Sequence, residues 1–179
     1  MKTLFIACAA FILAVGCKKE ITALDPATET GANTFGAKID GRLWAPQGFG
    51  IVPTAPLVQG RPSADNSFII QARNFASSPT ESEFEIFLKN VTGPGTYLLH
   101  SNTGVVPSAS GSYGYYTERR INPKNQWITT PEFTGKVIVT RLDIPNKVIS
   151  GTFEFRAKDI YADAPPITVT EGRFDLKIE

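Results

Sequence analysis

Glycine and proline are spread so evenly along this chain that they restrict it to short elements of secondary structure. The 179 residues include 15 glycines and 13 prolines, and no helical pattern of useful length survives between them. Most of the intervening segments are rich in valine, isoleucine, phenylalanine, tyrosine and threonine, which favour the extended backbone of strands. The sequence therefore predicts an all-β protein.

Alternation of apolar and polar side chains indicates how these strands are buried. It is clear over residues 83–89, 148–157 and 167–178, and residues 136–142 are predicted to pair with residues 148–157. Neighbouring side chains of a strand point to opposite faces, so each strand buries one face and leaves the other in water. We expect an antiparallel β-sandwich. A closed lipocalin-like β-barrel would give a similar pattern and is the alternative.

Two local features predict the register of the sheet. Asp40-Gly41 lies between two extended runs, and this dipeptide favours the positive φ angles of a two-residue hairpin. In the last strand the apolar side chains fall on odd-numbered positions up to Val169 and on even-numbered positions from Phe174. One residue between them must therefore lie outside the regular strand pairing. Gly172 is the predicted position of that β-bulge.

The first 17 residues have the layout of an export signal. Lys2 precedes an apolar run over residues 4–15, which is too short to span a bilayer comfortably. The ending Ala14-Val15-Gly16-Cys17 resembles a lipobox, which implies cleavage after Gly16 and attachment of acyl chains such as palmitate to Cys17. Residues 17–33 are polar and unpatterned and are predicted to form a lipidated flexible tether. Residues 34–179 then form a single all-β domain.

Three stretches of this domain resemble a known family. They are FGAKIDGRLW over residues 35–44, GKVIVTRLD with ISGTFEF over residues 135–143 and 149–155, and VTEGRFD over residues 169–175. Together they resemble a family of small Bacteroidetes lipoproteins of unknown function. Lys18 follows Cys17, in place of the aspartate that resembles an inner-membrane retention signal, and this favours the outer membrane. The family resemblance strengthens the expected address in the cell envelope and the expected fold, and it carries no activity with it.

Charge and cysteine content exclude several functional classes. Lysine and arginine total 18 and aspartate and glutamate total 17, so no electrostatic field attracts nucleic acid over a distance. The two cysteines, Cys8 and Cys17, both belong to the export signal region, and His100 is the single histidine. The sequence therefore predicts no disulfide, no metal site and no cofactor.

Catalytic groups are weakly indicated. His100 has no accompanying nucleophile motif. Glu83 and Glu85 share one strand face, and carboxylates at such spacing serve glycoside hydrolases, although a solvated strand face has the same pattern. Asp159 and Asp163 flank a predicted loop, and loop carboxylates can bind calcium, although their spacing does not match that of an EF-hand. We expect a protein that is not an enzyme, with a carboxylate-dependent hydrolase as an alternative.

The densest aromatic group is the candidate ligand-binding site: Tyr113, Tyr115, Tyr116 and Trp127. Aromatic side chains with polar tips offer a large contact area at low entropic cost, although strand residues that cover a core give the same pattern. The predicted function is a non-catalytic binding module, anchored to the outer membrane through Cys17, for a glycan, a peptide or an envelope protein. A lipocalin-like carrier of an apolar ligand is the remaining alternative.

Overall fold

The chain is described by a computed structural model that covers residues 20–48, 56–76, 81–101, 111–119, 125–161 and 164–179. Strands and their connections account for these residues, and the strands follow in chain order: β1 (Thr34–Ile39), β2 (Arg42–Trp44), β3 (Val58–Ser63), β4 (Ser67–Asn74), β5 (Glu81–Leu88), β6 (Gly95–Leu99), β7 (Tyr113–Arg119), β8 (Asn125–Ile128), β9 (Gly135–Asp143), β10 (Val148–Asp159) and β11 (Ile167–Lys177). No helix in the described ranges is long and apolar enough to cross a membrane.

The strands form two sheets that share one long strand, β10. Sheet A has the order β2-β1-β11-β10-β9-β6, and sheet B has the order β3-β4-β5-β7-β8. All paired strands are antiparallel, and the end of β10 joins the sheets because Lys158 and Asp159 pair with β8. The predicted all-β antiparallel fold is therefore confirmed, with two packed faces and a barrel-like curl through β10.

Opposite edges of this curled sheet approach each other. Gly60 of β3 forms a bridge with Ile178, and the backbone N–H of Glu179 donates to the carbonyl oxygen of Gly60 at 3.0 Å. A side chain at position 60 would meet Leu176 at 3.3 Å. Glycine at this position allows the close backbone approach.

Aromatic side chains fill the space between the two faces. Phe84 of β5 is fully buried, and its ring centroid lies 5.5 Å from that of Phe35 and 6.1 Å from that of Phe153. These contacts join sheet B to sheet A across the core. Over the described residues these side chains belong to one hydrophobic core between the two sheets.

Both predicted register features are confirmed. Asp40 and Gly41 have φ angles of 48° and 79° and form the two-residue turn between β1 and β2. The pairing of β11 with β1 shifts at Glu171 and Gly172, and its pairing with β10 shifts at Thr170 and Glu171. Glu171, which belongs to both shifts, has a φ of 51°. A Cβ atom at Gly172 would lie 2.5 Å from the ring of Phe153, so packing requires glycine at the bulge.

Two strands were not predicted from the sequence. β3 lies in a stretch rich in glycine and proline that indicates a loop, and β8 follows β7 after a short connection. Pro62 interrupts the strand pattern of β3, but an edge strand tolerates proline because one side of it needs no ladder hydrogen bond. β8 has only four residues, which is too short for alternation to stand out.

The segment before β1 is docked on sheet A, where a flexible tether was predicted. Asp175 accepts hydrogen bonds from the backbone N–H groups of Thr30, Gly31 and Ala32 at 2.9, 2.7 and 3.1 Å. Further upstream, Leu24 lies against Gly36 of β1. We call residues 24–33 the docked arm. Local composition does not reveal it because its partner carboxylate lies more than 140 residues away in the sequence.

Candidate functional site

A cleft opens at the end of the fold where β2, β7, β8 and the start of β11 meet. Its volume is about 590 Å³, within the range of roughly 300–1,000 Å³ that is typical of small-molecule sites. We call it the end cleft. Its lining combines aromatic, aliphatic and polar side chains: Ile39, Asp40, Arg42, Leu43, Trp44, Tyr116, Glu118, Asn125, Trp127, Ala164, Pro165 and Ile167.

Three aromatic residues form the floor of the end cleft. Trp44, Tyr116 and Trp127 are 7%, 4% and 6% exposed, so most of each ring packs into the core. The Tyr116 and Trp127 centroids are 5.7 Å apart. These rings are consequently held in place before any ligand arrives, which lowers the entropic cost of binding.

Hydrogen bonds fix the orientation of these rings. The indole N–H of Trp44 donates to Ser82 Oγ at 2.9 Å, and that of Trp127 donates to the carbonyl oxygen of Pro165 at 2.9 Å. The Tyr116 hydroxyl group lies 3.4 Å from Glu118 Oε1. Because both indole N–H groups are used internally, the floor offers ring surface to a ligand while the rim supplies the polar contacts.

The rim carries charged and amide groups that include both hydrogen-bond donors and hydrogen-bond acceptors. Arg42 and Asp40 are exposed in the β1–β2 hairpin, and Glu118 and Asn125 are partly exposed on β7 and β8. Asp40 Oδ1 accepts a bond of 2.8 Å from the backbone N–H of Thr168, which steadies the hairpin over the cleft. One guanidinium, two carboxylates and one carboxamide thus converge on an aromatic floor.

The four predicted aromatic residues separate into two pairs. Tyr116 and Trp127 line the end cleft, whereas Tyr113 and Tyr115 point to the outer face of sheet B. Tyr113 is 4% exposed and stacks on Phe87 with centroids 5.6 Å apart. The four residues do not form one exposed platform, because Tyr113 and Tyr115 have opposite parity to Tyr116 on the same strand.

The outer pair is held by hydrogen bonds across sheet B. The Tyr113 hydroxyl group donates to Glu85 Oε1 at 2.6 Å, and the Tyr115 hydroxyl group donates to Gln126 Oε1 at 2.9 Å. Gln71 Nε2 donates to the other oxygen of Glu85 at 2.6 Å. These contacts explain Tyr113 and Tyr115 as structural residues of the sheet.

Burial raises the pKa of both Tyr113 and Tyr116, and a neighbouring carboxylate adds to the effect in each case. Glu85 accepts the hydrogen bond of Tyr113, and Glu118 lies beside Tyr116. Each contact favours the protonated phenol because the phenolate would repel the carboxylate. Tyr116 therefore remains a neutral part of the cleft floor at physiological pH.

Trp44 and Arg42 are site residues that sequence reasoning did not select. Both belong to the stretch of residues 35–44 that was used for the family resemblance. The signal available in the sequence was the hairpin at Asp40-Gly41, which places Trp44 on an inward-facing position of β2, opposite Ala37. The partner of this tryptophan across the core could not be read from local patterning.

The other candidate groups of the sequence lie elsewhere. Glu83 is bonded by Arg73 at 3.4 Å, and Glu85 is occupied as described. Asp159 is 2% exposed and accepts the backbone N–H of Ala164 at 3.0 Å, while Asp163 lies outside the described residues. His100 is exposed, with Nδ1 3.3 Å from the carbonyl oxygen of Leu98.

Metal binding finds no support in the part of the chain that the structure describes. No group of three or more histidine, cysteine, aspartate or glutamate side chains lies close enough there to hold an ion. Gly16 and Cys17, the predicted cleavage and lipidation positions, lie outside the described residues. Comparison of the chain with protein-family models, with curated proteins and with solved structures found no match.

Proposed function

We propose that this protein is a lipid-anchored binding module of the bacterial envelope, and that the end cleft holds its ligand. The observation that carries the proposal is the convergence of Arg42, Asp40, Glu118 and Asn125 around the rigid floor of Trp44, Tyr116 and Trp127. The lipobox-like ending at Cys17 and the resemblance to small Bacteroidetes lipoproteins support the envelope address.

The chemistry of the rim favours an uncharged, hydroxyl-rich ligand, and we propose a glycan. The rim carries one cation, Arg42, and two carboxylates, Asp40 and Glu118, together with the neutral amide of Asn125. Hydroxyl groups can donate to the carboxylates and accept from the guanidinium. The C–H groups of a sugar can contact the aliphatic lining residues Ile39, Leu43 and Ile167 and the small exposed edges of the aromatic rings. A peptide ligand is an alternative outcome of the binding test.

Tryptophan fluorescence provides a direct test. The chain contains two tryptophans, and both line the end cleft, so a ligand bound there lies beside both indoles and is expected to change their emission. Soluble neutral oligosaccharides are titrated against the protein, with short peptides as a parallel series. A saturable change with a member of the oligosaccharide series is expected. A response restricted to peptides would overturn the glycan proposal.

Variants of the rim connect the signal to the cleft. Arg42→Ala removes an exposed cleft cation, and we expect affinity to fall about tenfold or more, which corresponds to one lost charge-assisted hydrogen bond of roughly 1.5–3 kcal/mol. Arg156→Ala is the matched control, because Arg156 is also exposed but lies on the outer face of sheet A. Equal loss in both variants would contradict binding in the cleft.

The anchor is tested separately. Cells expressing the full chain are labelled with a palmitate analogue, and the wild type is compared with Cys17→Ala. Label is expected on the wild type and absent from the variant, since Cys17 is the attachment point in the proposal. A labelled variant, or a mature protein that begins at another position, would overturn the lipid anchor without touching the evidence for the cleft.

A further inference from the structure

One wall of the end cleft is formed by Ala164 and Pro165, which precede β11. Pro165 is exposed, and so is the next residue, Pro166, so burial does not fix this segment. Proline has no backbone N–H, which leaves Ala164 as the backbone donor of residues 164–166. The position of the wall therefore depends on the group that accepts the N–H of Ala164.

That group is the buried side chain of Asp159 on β10. Its Oδ2 accepts the N–H of Ala164 at 3.0 Å, and the residue is 2% exposed. The preceding inward positions of β10 belong to the hydrophobic core: Phe153, Phe155 and Ala157. Burial of a carboxyl group costs desolvation free energy, so an apolar residue would suit this position better than Asp159 if packing were its only role.

The contacts around Asp159 form a closed ring that includes the floor of the cleft. Pro165 follows Ala164 in the chain, and its carbonyl oxygen accepts the indole N–H of Trp127 at 2.9 Å. Trp127 is in turn the strand partner of Asp159, since β8 pairs with β10 at this residue. The ring of contacts fixes the wall relative to the floor, and it keeps the indole N–H occupied.

We infer that Asp159 is a positioning residue for the end cleft, an inference that rests on the proposed function of that cleft. Asp159 lies behind the lining residues and acts through Ala164 and Pro165, which determine the width of the cleft beside Trp127. While the wall is held, Trp127 offers ring surface and the rim supplies the polar contacts. When the wall is released, the cleft changes width and gains the indole N–H as a donor.

The indole N–H groups test this role without a ligand. The chain has two tryptophans, and Trp44 is an internal reference because its N–H is bonded to Ser82 Oγ. In two-dimensional NMR spectra of the full chain, Trp44→Phe assigns the two signals. Asp159→Ala should accelerate hydrogen exchange of the Trp127 N–H about fivefold or more, the factor that corresponds to one lost hydrogen bond. Exchange at Trp44 should stay at its wild-type rate.

Two further variants separate the hydrogen bond from the fold. Asp159→Asn keeps an acceptor oxygen for Ala164 and should restore most of the wild-type protection at Trp127. Ala164→Pro removes the same hydrogen bond from the donor side and should accelerate Trp127 exchange as Asp159→Ala does. Because Ala164→Pro leaves the side chains of β10 intact, it decides the question if Asp159→Ala does not fold.

Asp143→Ala is the matched control. Asp143 also accepts a backbone N–H, that of Asn146 at 3.0 Å, but it lies at the end of β9, beside the opposite end of β10. This variant should leave both indole signals unchanged. Wild-type exchange at Trp127 in Asp159→Ala and in Ala164→Pro would overturn the positioning role. Equal acceleration at Trp44 and Trp127 would also overturn it, since it would indicate a general loosening of the fold.

Binding measurements separate this inference from the proposed function. The proposed function is overturned if no neutral oligosaccharide changes the indole emission of the wild type, a result that does not depend on the exchange rates. For an oligosaccharide that does bind, Asp159→Ala should weaken the affinity about fivefold or more, and Asp159→Asn should recover most of it. Wild-type affinity in Asp159→Ala would overturn the positioning role and leave the cleft as the binding site.

Discussion

Asp175 on β11 accepts a hydrogen bond of 2.7 Å from the hydroxyl group of Ser150 on β10. The same carboxylate accepts 2.6 Å from Thr28 Oγ1 and three backbone N–H groups of the docked arm. Burial by itself raises the pKa of Asp175, but these donors outweigh it and hold the pKa well below its usual range. One side chain thus joins the arm to the sheet.

Acid should loosen this junction before it unfolds the core. Because the pKa of Asp175 is lower in the folded chain than its unfolded value of about 3.9, its stabilisation is present above about pH 4 and is lost as the pH falls through the folded value. Asp143 contributes in the same direction, since its hydrogen bond from Arg141 lowers the pKa to about 2. Urea denaturation at a series of pH values should show stability declining below about pH 4.

Asp175→Asn isolates the contribution of this residue. The amide has one acceptor oxygen and no charge, so several arm N–H groups lose their partner. We expect a loss of about 2–4 kcal/mol and a flatter dependence of stability on pH. Hydrogen exchange should show faster exchange at Thr30, Gly31 and Ala32. Unchanged exchange at these three amides would contradict the role of Asp175 as the clamp of the arm.

Truncation of Phe84 in the core should be strongly destabilising. Phe84 is fully buried and its ring lies 4.7 Å from Trp44 and 4.9 Å from Tyr116. Phe84→Ala should cost about 3–5 kcal/mol through lost burial and the cavity that remains. Denaturant unfolding measures this loss, and the emission of Trp44 should change in the folded state. Phe133→Ala, at a partly exposed position, should cost much less.

Strand positions that face a single core were predictable, because alternation is a local signal. The inward positions of β10, such as Phe153 and Phe155, and the change of parity across Gly172 follow from the sequence in this way. The hairpin at Asp40-Gly41 is equally local, since the turn type depends on two residues. Each of these features is set by residues within a few positions of one another.

The end cleft and the docked arm depend on contacts between distant residues. Trp44 and Trp127 are separated by more than 80 residues, and only the pairing of β8 with β7 and with β10 brings the second one to the cleft. The clamp of the arm by Asp175 is equally nonlocal. Composition identified Tyr116 and Trp127 as aromatic candidates, yet it could not separate them from Tyr113 and Tyr115, which lie on another face.

Gly172 should tolerate no side chain at the β-bulge. A Cβ atom there would lie 2.5 Å from both the ring and the carbonyl oxygen of Phe153, so the two strands would have to separate. Gly172→Ala is expected to destabilise by about 1–3 kcal/mol, as overpacked cores do. Thermal or urea unfolding measures the effect. Gly93→Ala is the matched control, because a Cβ atom at Gly93 has nothing within 4 Å, and similar losses at both positions would contradict the packing account.

Titration of the phenol groups distinguishes buried from accessible tyrosines. The chain has five tyrosines, and burial with a neighbouring carboxylate raises the pKa of Tyr113 and of Tyr116 above the usual value of about 10. In the folded protein, Tyr113 and Tyr116 should therefore not contribute to the phenolate absorbance. Their contribution should appear only when alkali unfolds the chain. Tyr113→Phe should leave the change in phenolate absorbance of the folded protein unchanged and should reduce that of the unfolded protein. A full amplitude near pH 10, reached without unfolding, would show that Tyr116 is not enclosed in the cleft floor.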